Sequence, residues 1–280
     1  MAEQSCLVTN DWICGEYLRS RSQELTDATV QHVGITVVSV LIGLAVAFPL
    51  ALLARRGRRF AGPVLGLTTV LYTVPSLAMF SLLLPLFGLS AALVVTGLVL
   101  YSLTILVRNI LAGLAAVPQE AKDAARGMGY GPARLLWEVE LPLALPAVMA
   151  GLRIATVSTV ALTTIGSLVG KGGLGNLIDD ALPSFFKAQV LAASVLCVLL
   201  AVAADLLLLG VQRLLTPWTR IPGPARIPGP ARIPGPAGSS GAARGSAAAG
   251  GRRADPDGPG GPDGPGGPAG PPAPAKMEAG

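Results

Sequence analysis

The chain has 280 residues, of which 51% are hydrophobic and only 13% charged, and its mean hydropathy is +0.60. A soluble domain carries about 25% charged residues, so a soluble globular protein is excluded. The net charge of +5 comes without basic residues interleaved among aromatics, and no nucleic-acid partner is expected.

Residues 1–31 contain no basic stretch followed by an apolar core, so no cleavable signal peptide is expected and the first span must direct its own insertion. This segment holds Cys6 and Cys14, which an oxidising compartment joins and a reducing one leaves as two thiols. His32 stands at the expected membrane boundary and reads as an interfacial residue rather than a proton relay. A first span fits 33–54, 22 residues without a charge. The basic cluster Arg55, Arg56, Arg58 and Arg59 follows it directly. Next come 48 uncharged residues, Phe60 to Val107, too many for one crossing and suited to two, at 64–84 and 91–107. Pro, Gly and Ser between Pro85 and Ala91 mark the break. Tyr72, Thr73, Pro75 and Ser76 interrupt the first of these two spans with polar groups and a proline. The freed backbone must be satisfied by protein or by water, so the stretch either lines a translocation path or forms a packed kink.

Residues 108–146 form a long connection between membrane helices, and such loops carry tasks. Pro118 suits the first position of a short helix, Glu120 lies near the positive end of its dipole, and Gly127 or Gly129 suits its left-handed end. Ala121, Ala124, Ala125 and Met128 fall on one small apolar face, with Lys122, Asp123 and Arg126 around it. Such a face lets another backbone approach closely, whereas a helix lying on the bilayer prefers larger apolar residues. A second short helix from Pro132 is expected to finish before Pro142.

The remaining spans fit 147–169 and 188–210, interrupted only by Arg153 and Asp205. Ionisable groups in spans are functional candidates; these two either snorkel to the interface or pair with each other to hold the domain together. Between the spans, G-S-L-V-G-K-G at Gly166–Gly172 is one residue short of a phosphate loop and lacks the following Ser or Thr. A tight turn at Gly172, Gly173 and Gly175 is the better reading. From 219 onward R-I-P-G-P-A recurs three times, and half of residues 221–280 are Gly or Pro, a composition expected to be disordered.

Loops rich in Lys and Arg stay in the cytoplasm. Sixteen basic residues then fall inside, against four outside (Arg19, Arg21, Lys171, Lys187) and Arg153 within a span. The expected topology is an extracytoplasmic N-terminal segment 1–31, a transmembrane domain 32–218 and a cytoplasmic tail 219–280. The fold class is an all-α membrane protein of about five spans. No catalytic constellation, metal-ligand spacing or cofactor motif is visible.

D-A-A-R-G-M-G at Asp123–Gly129 with L-P at Leu141–Pro142 resembles the E-A-A-x-x-x-G…L-P loop of permease subunits in binding-protein-dependent ABC importers, with Asp123 in place of the usual Glu. Further stretches widen the resemblance to roughly 31–215: L-Y-T-V-P-S-L-A at Leu71–Ala78, Y-S-L-T-I-L-V-R-N at Tyr101–Asn109, E-L-P-L-A-L-P-A-V-M-A-G-L-R at Glu140–Arg153 and G-K-G-G-L-G-N-L-I at Gly170–Ile178. Together they are similar to the osmoprotectant branch, which imports glycine betaine, carnitine, choline or proline betaine. The resemblance implies a type I importer permease fold and a division of labour. An external binding protein captures the solute, two like permease subunits form the path and two cytoplasmic ATPases drive it. The ATPase-coupling set is then Glu120, Asp123, Ala124, Ala125, Gly129 and Pro142, contact with the binding protein is expected at Gly172, Gly173 and Gly175, and this chain is no enzyme. The competing readings are an ABC importer permease for a different solute such as an amino acid, and an ion-coupled secondary transporter or channel for a small polar solute, against which stand the few spans and the lack of a mid-membrane coupling carboxylate.

Overall fold

The computed structural model describes residues 6–220, and the expectations for the R-I-P-G-P-A repeats and the glycine-rich tail beyond them lie outside the described residues. Two short helices come first among the described residues, α1 (Cys6–Thr9) and α2 (Gly15–Ser20), and a disulfide between Cys6 and Cys14 closes a loop around α1, just before α2 begins. Helix α3 (Ser22–Arg55) follows after one residue and runs unbroken for 34 residues, about 51 Å at the helical rise. The expected boundary at residue 32 therefore falls inside a helix. The charges that mark a membrane boundary do not end a helix; only capping geometry or a breaker does.

Helix α4 (Arg58–Thr73) and helix α5 (Ser76–Phe87) replace the expected straight second span, since they meet at 101°. Val74 and Pro75 are extended at the corner, as the residue before proline prefers. Gly88, at φ 60°, ends α5, and the Ser90 hydroxyl caps α6 (Ala91–Ala115) by accepting from Leu93 N. The break between the second and third expected spans thus lies where Pro, Gly and Ser cluster. Helix α6 runs eight residues past the expected end at 107, because Arg108 reaches the Thr69 hydroxyl at 2.9 Å and Asn109 bonds back to the Ile105 carbonyl.

After α7 (Gln119–Gly127), the helix α8 (Pro132–Leu135) passes through a π-helical turn, Leu136–Glu140, into α9 (Leu141–Thr163). The expected stop before Pro142 is therefore overturned. Proline lacks the donor an α-helix needs there, and a π turn just before it removes that demand and widens the backbone around the ring. The long loop contracts to residues 116–131. A 3-10 segment, Thr164–Val169, leads through a tight turn into α10 (Leu174–Ala181), and α11 (Lys187–Leu215) is followed by a last 3-10 turn, Pro217–Arg220.

Helix α6 is the axis of the domain, packed by α3, α4, α5 and α9. Ala47, Ala51 and Ala54 of α3 and Ala144 and Ala155 of α9 are almost wholly buried in the cluster around Leu106, Val107 and Ile110 of α6. Lipid tails are as apolar as leucine, so helices in a bilayer associate through close backbone approach and van der Waals packing, which small residues permit. Among the described residues, four helices are long and apolar enough to cross a membrane, and the bent α4–α5 pair makes a fifth crossing if counted as one.

Candidate functional site

The short helix expected from the loop is α7, and its setting starts from two anchors. Val117 is buried in the main cluster, and Pro118, extended at ψ 138°, turns the chain away from α6 and opens α7 one residue later than expected. The helix closes with Met128 N bonded to Ala124 O and Tyr130 N to Ala125 O, while Gly129 takes φ 82°, a conformation that costs any residue with a Cβ. Of the two glycines considered for this end, Gly129 holds it.

The alanine face is divided by the fold. Ala125 is 2% exposed, seated against the protein's own interior. Ala124, Glu120, Asp123 and Gly129 remain exposed, and Met128, 69% exposed, stands with them. Asp123 accepts from Gln119 at 2.9 Å and from Arg126 at 2.9 Å, which fixes its carboxylate along the helix. Lys122 turns back to the Leu114 carbonyl at 3.5 Å. Arg134 lies 4.3 Å over the Tyr130 ring and gives its Nε to both Glu138 oxygens, which raises the guanidinium pKa further. Small residues and a fixed carboxylate thus face solvent on a helix of nine residues, with one long thioether just past its end.

One ion pair beneath α7 was not legible as such in the sequence. Glu140, 2% exposed, accepts from Arg55 Nη1 at 2.5 Å and ties the end of α3 to the start of α9. Arg55 had meaning only as part of a basic cluster; its partner lies 85 residues away. Pro142 follows two residues later, in the first turn of α9.

At the α4–α5 corner, the Tyr101 hydroxyl donates to the Val74 carbonyl, Thr104 donates to Thr68 O, and Tyr101 meets Tyr72 edge to face at 6.2 Å. The Val74 carbonyl, at the corner before Pro75, is therefore satisfied by protein. Tyr72, Thr73 and Pro75 are exposed and Ser76 is half-buried.

Arg153 and Asp205 meet between α9 and α11 in a two-pronged pair, Nε to Oδ1 at 2.8 Å and Nη2 to Oδ2 at 2.7 Å.

The opposite end of α3 from Arg55 carries the glycine turn. Gly170 and Gly173 have φ of 68° and 58°. A Cβ on Gly173 would stand 2.8 Å from the His32 backbone nitrogen, and one on Gly175 2.6 Å from Thr164 Cα. The Asn176 side chain accepts from Gly172 N at 2.9 Å and closes the turn. Gly172, Gly173 and Gly175 are all buried and lock the turn against α3 and the preceding 3-10 segment. His32 is likewise buried rather than interfacial, and it donates from Nε2 to the Val160 carbonyl at 3.0 Å.

The N-terminal segment is clasped at this same end. Asn10 donates to the Phe185 carbonyl and accepts from Lys187 N, both at 3.0 Å. Tyr17 packs edge to face on Phe186 at 5.3 Å, and burial raises its phenol pKa.

A helical bundle of membrane-crossing length, with a broken polar crossing and a short helix projected from the membrane-spanning core, is a transport protein by architecture. Residues 39–221 match the family described as the binding-protein-dependent transport system inner membrane component, and the chain belongs to that family. It is accordingly a multi-pass plasma-membrane protein. Among its relatives, a glycine betaine/carnitine/choline transport system permease of Bacillus subtilis is 36% identical across 72% of this chain and 89% of its own length. An osmoprotectant import permease of Salmonella typhimurium is 34% identical over 72% and 96%. A choline transport system permease of Bacillus subtilis is 32% identical over 72% and 93%. The fold is that of ABC importer permeases: a chain of the MetNI methionine transporter superimposes with a TM-score of 0.63 at 21% identity, covering 70% of this chain and 98% of that one. A chain of an amino acid ABC transporter gives 0.62 at 18% identity, over 72% and 98%.

Proposed function

We propose that this chain is the permease subunit of an ATP-driven importer for compatible solutes such as glycine betaine, choline or carnitine. The observation that carries the reading is the match to permeases of that solute class over nearly their whole lengths. In this reading a separate cytoplasmic ATPase docks on the exposed face of α7, at Glu120, Asp123, Ala124 and Met128, and its movement passes through Glu140 and Arg55 to α3 and through Pro142 to α9. The chain itself hydrolyses no ATP. A second permease subunit, the same or similar, completes the path, to which Tyr72, Thr73, Pro75 and Ser76 contribute, and an extracytoplasmic binding protein delivers the solute at the other end. Arg153 and Asp205 keep α9 and α11 together.

The N-terminus lies outside and the C-terminus in the cytoplasm. Two features at opposite ends of α3 support this sidedness: Arg55, Arg56, Arg58 and Arg59 follow its C-terminal end, where basic residues are retained inside, and the Cys6–Cys14 disulfide precedes its N-terminal end, as an oxidising compartment allows.

Labelled glycine betaine uptake, in cells carrying this chain with its ATPase and binding protein, tests the reading, with unlabelled choline and carnitine as competitors. Uptake that needs ATP and is competed by these cations is expected. Uptake that persists without ATP and collapses with the ion gradient overturns it.

A further inference from the structure

Helices α9 and α11 are joined by the Arg153–Asp205 pair, and the bonds from α9 to α3 give the depth of that pair a scale. Val160 is level with His32 and Glu140 with Arg55, so α9 carries both limits of the crossing expected at 33–54. Arg153 is seven residues from Val160 and 13 from Glu140, about 10 Å and 20 Å at the helical rise. The pair therefore lies inside the roughly 30 Å hydrocarbon core, and because each member holds the other, neither snorkels to its edge. Beside the pair is an open groove of about 380 Å³, lined by Arg153 and Asp205 with Ala150, Ile154, Val157 and Ser158. Its volume is about a dozen times the roughly 30 Å³ of one water, room for a small solute.

The groove holds polar groups with capacity to spare. The Arg153 side chain is 26% exposed and that of Asp205 33%. Their bonds use one edge of the guanidinium, Nε and Nη2. A guanidinium has more N–H groups than that, so Nη1 and the second hydrogen of Nη2 form another fork, without a partner among the described residues. Ser158 is in the same condition. The other hydroxyls of α9, on Thr156, Thr159 and Thr163, donate to carbonyls one turn back at 2.8, 2.7 and 2.8 Å, and Ser158 makes no such bond among the described residues. A charged fork and an unused hydroxyl turned to hydrocarbon would go unsatisfied, which membrane proteins avoid by turning such groups to a polar neighbour or a water-filled cavity. A second copy packed here would have to bring a carboxylate to this depth, and Asp205, the sole acidic residue in the five expected crossings, is already paired.

We propose that this groove is a solute subsite on the transport path, built for a zwitterion: the solute carboxylate meets the free fork of Arg153 and the Ser158 hydroxyl, and its quaternary ammonium lies against the exposed side of the Asp205 carboxylate. A fork of two parallel donors suits a carboxylate above other acceptors, and a carboxylate beside it suits a cation tethered a few bonds away. The proposal rests on the importer reading and narrows it, since glycine betaine and carnitine carry a carboxylate and choline does not. Arg153 and Asp205 then hold α9 to α11 with one edge and receive the solute with the other.

The test uses cells carrying the full chain with its ATPase and binding protein. The binding protein is the same throughout, so a changed ratio of glycine betaine to choline uptake belongs to the permease. Ser158→Ala is expected to lower that ratio about fivefold, as loss of one hydrogen bond does. Arg153→Lys keeps the charge opposite Asp205 and removes the fork, and is expected to lower the ratio about tenfold. An unchanged ratio in both variants overturns the proposal, also where the two uptakes fall together, because the pair then only holds the helices. A second readout needs no transport. Ser158→Cys, combined with Cys197→Ala to remove the free thiol, is treated with the anionic reagent sulfonatoethyl methanethiosulfonate. Modification is expected, and saturating glycine betaine is expected to slow it. Absence of modification overturns the proposal, as does modification that glycine betaine does not slow. Disulfide cross-linking of two Ser158→Cys chains overturns it as well, because the groove is then a subunit interface. If the parent takes up neither solute, the importer reading fails, while the labelling still decides the groove.

Discussion

Two short segments rich in small residues sit at the two ends of the α3 helix and do opposite things. The α7 segment, Q-E-A-K-D-A-A-R-G-M-G, carries three alanines, two glycines and four charges, and the turn into α10, G-K-G-G-L-G, four glycines and one charge. Around α7 the small residues are divided, Ala125 facing inward and Ala124 outward, and the helix stands as a presented surface. In the glycine turn Gly172, Gly173 and Gly175 are each directed into their own chain, against Ser167, His32 and Thr164 respectively. Small residues permit close approach, and whether the approaching backbone belongs to the same chain or to a partner is decided by what stands across from them.

The most damaging way to break this contrast is at the turn. Gly173→Ala puts a Cβ 2.7 Å from His32 Cβ at a φ of 58°, and strain of this kind costs about 1–3 kcal/mol before any clash is added. A thermal midpoint lowered by roughly 5–10 °C, or loss of the monodisperse chain altogether, is expected; a midpoint within about 1 °C of the parent would mean that the turn is not the joint described. Next come two neighbouring residues that should behave unlike each other. Ala125→Trp overpacks a buried site and is expected to destabilise the chain by about 1–3 kcal/mol. Ala124→Trp leaves stability within about 0.5 kcal/mol, as a surface substitution does, yet abolishes co-purification with the ATPase. Equal effects from the two would erase the division of the α7 face.

Glu140→Gln removes the charge that Arg55 meets, and a loss of about 1–3 kcal/mol is expected for a buried group whose partner goes unmatched. Differential scanning of the chain with and without bound ATPase would show whether this pair also carries coupling: a variant that keeps ATPase binding but uncouples hydrolysis from uptake places Glu140 on the transmission route. The smallest effect is expected from Asn10→Ala. Two exposed hydrogen bonds hold that clasp, together about 1 kcal/mol, so the midpoint should fall by only about 2–4 °C, with solute uptake preserved.

Much of this protein is legible in its sequence because lipid simplifies the rules. Backbone polar groups must be paired within each crossing segment, so uncharged runs such as 33–54 and 91–107 already imply helices, and the proline, glycine and serine near Gly88 mark where one ends. The short helix α7 is legible too, from Pro118, Glu120 and the glycine at 129, since helix ends obey local chemistry. What escapes is whatever depends on a partner distant in the chain. Arg108 reads as the end of a span until Thr69 is found to hold it. Pro142 reads as a stop until a π turn takes up its missing donor.

The sequence by itself determined the material: an all-α chain, crossings of the right length, a short helix between two of them, and a family motif on that helix. Tertiary structure alone decided the directions of side chains. Ala124 and Ala125 are adjacent and chemically identical, so no local rule can assign one to the interior. Asn10 and Lys187 are 177 residues apart, and the bond between them exists only because α3 and α11 end at the same level. Periodicity places residues on faces, while the identity of what a face meets is a property of packing, and packing is a sum over contacts that no single stretch of chain contains.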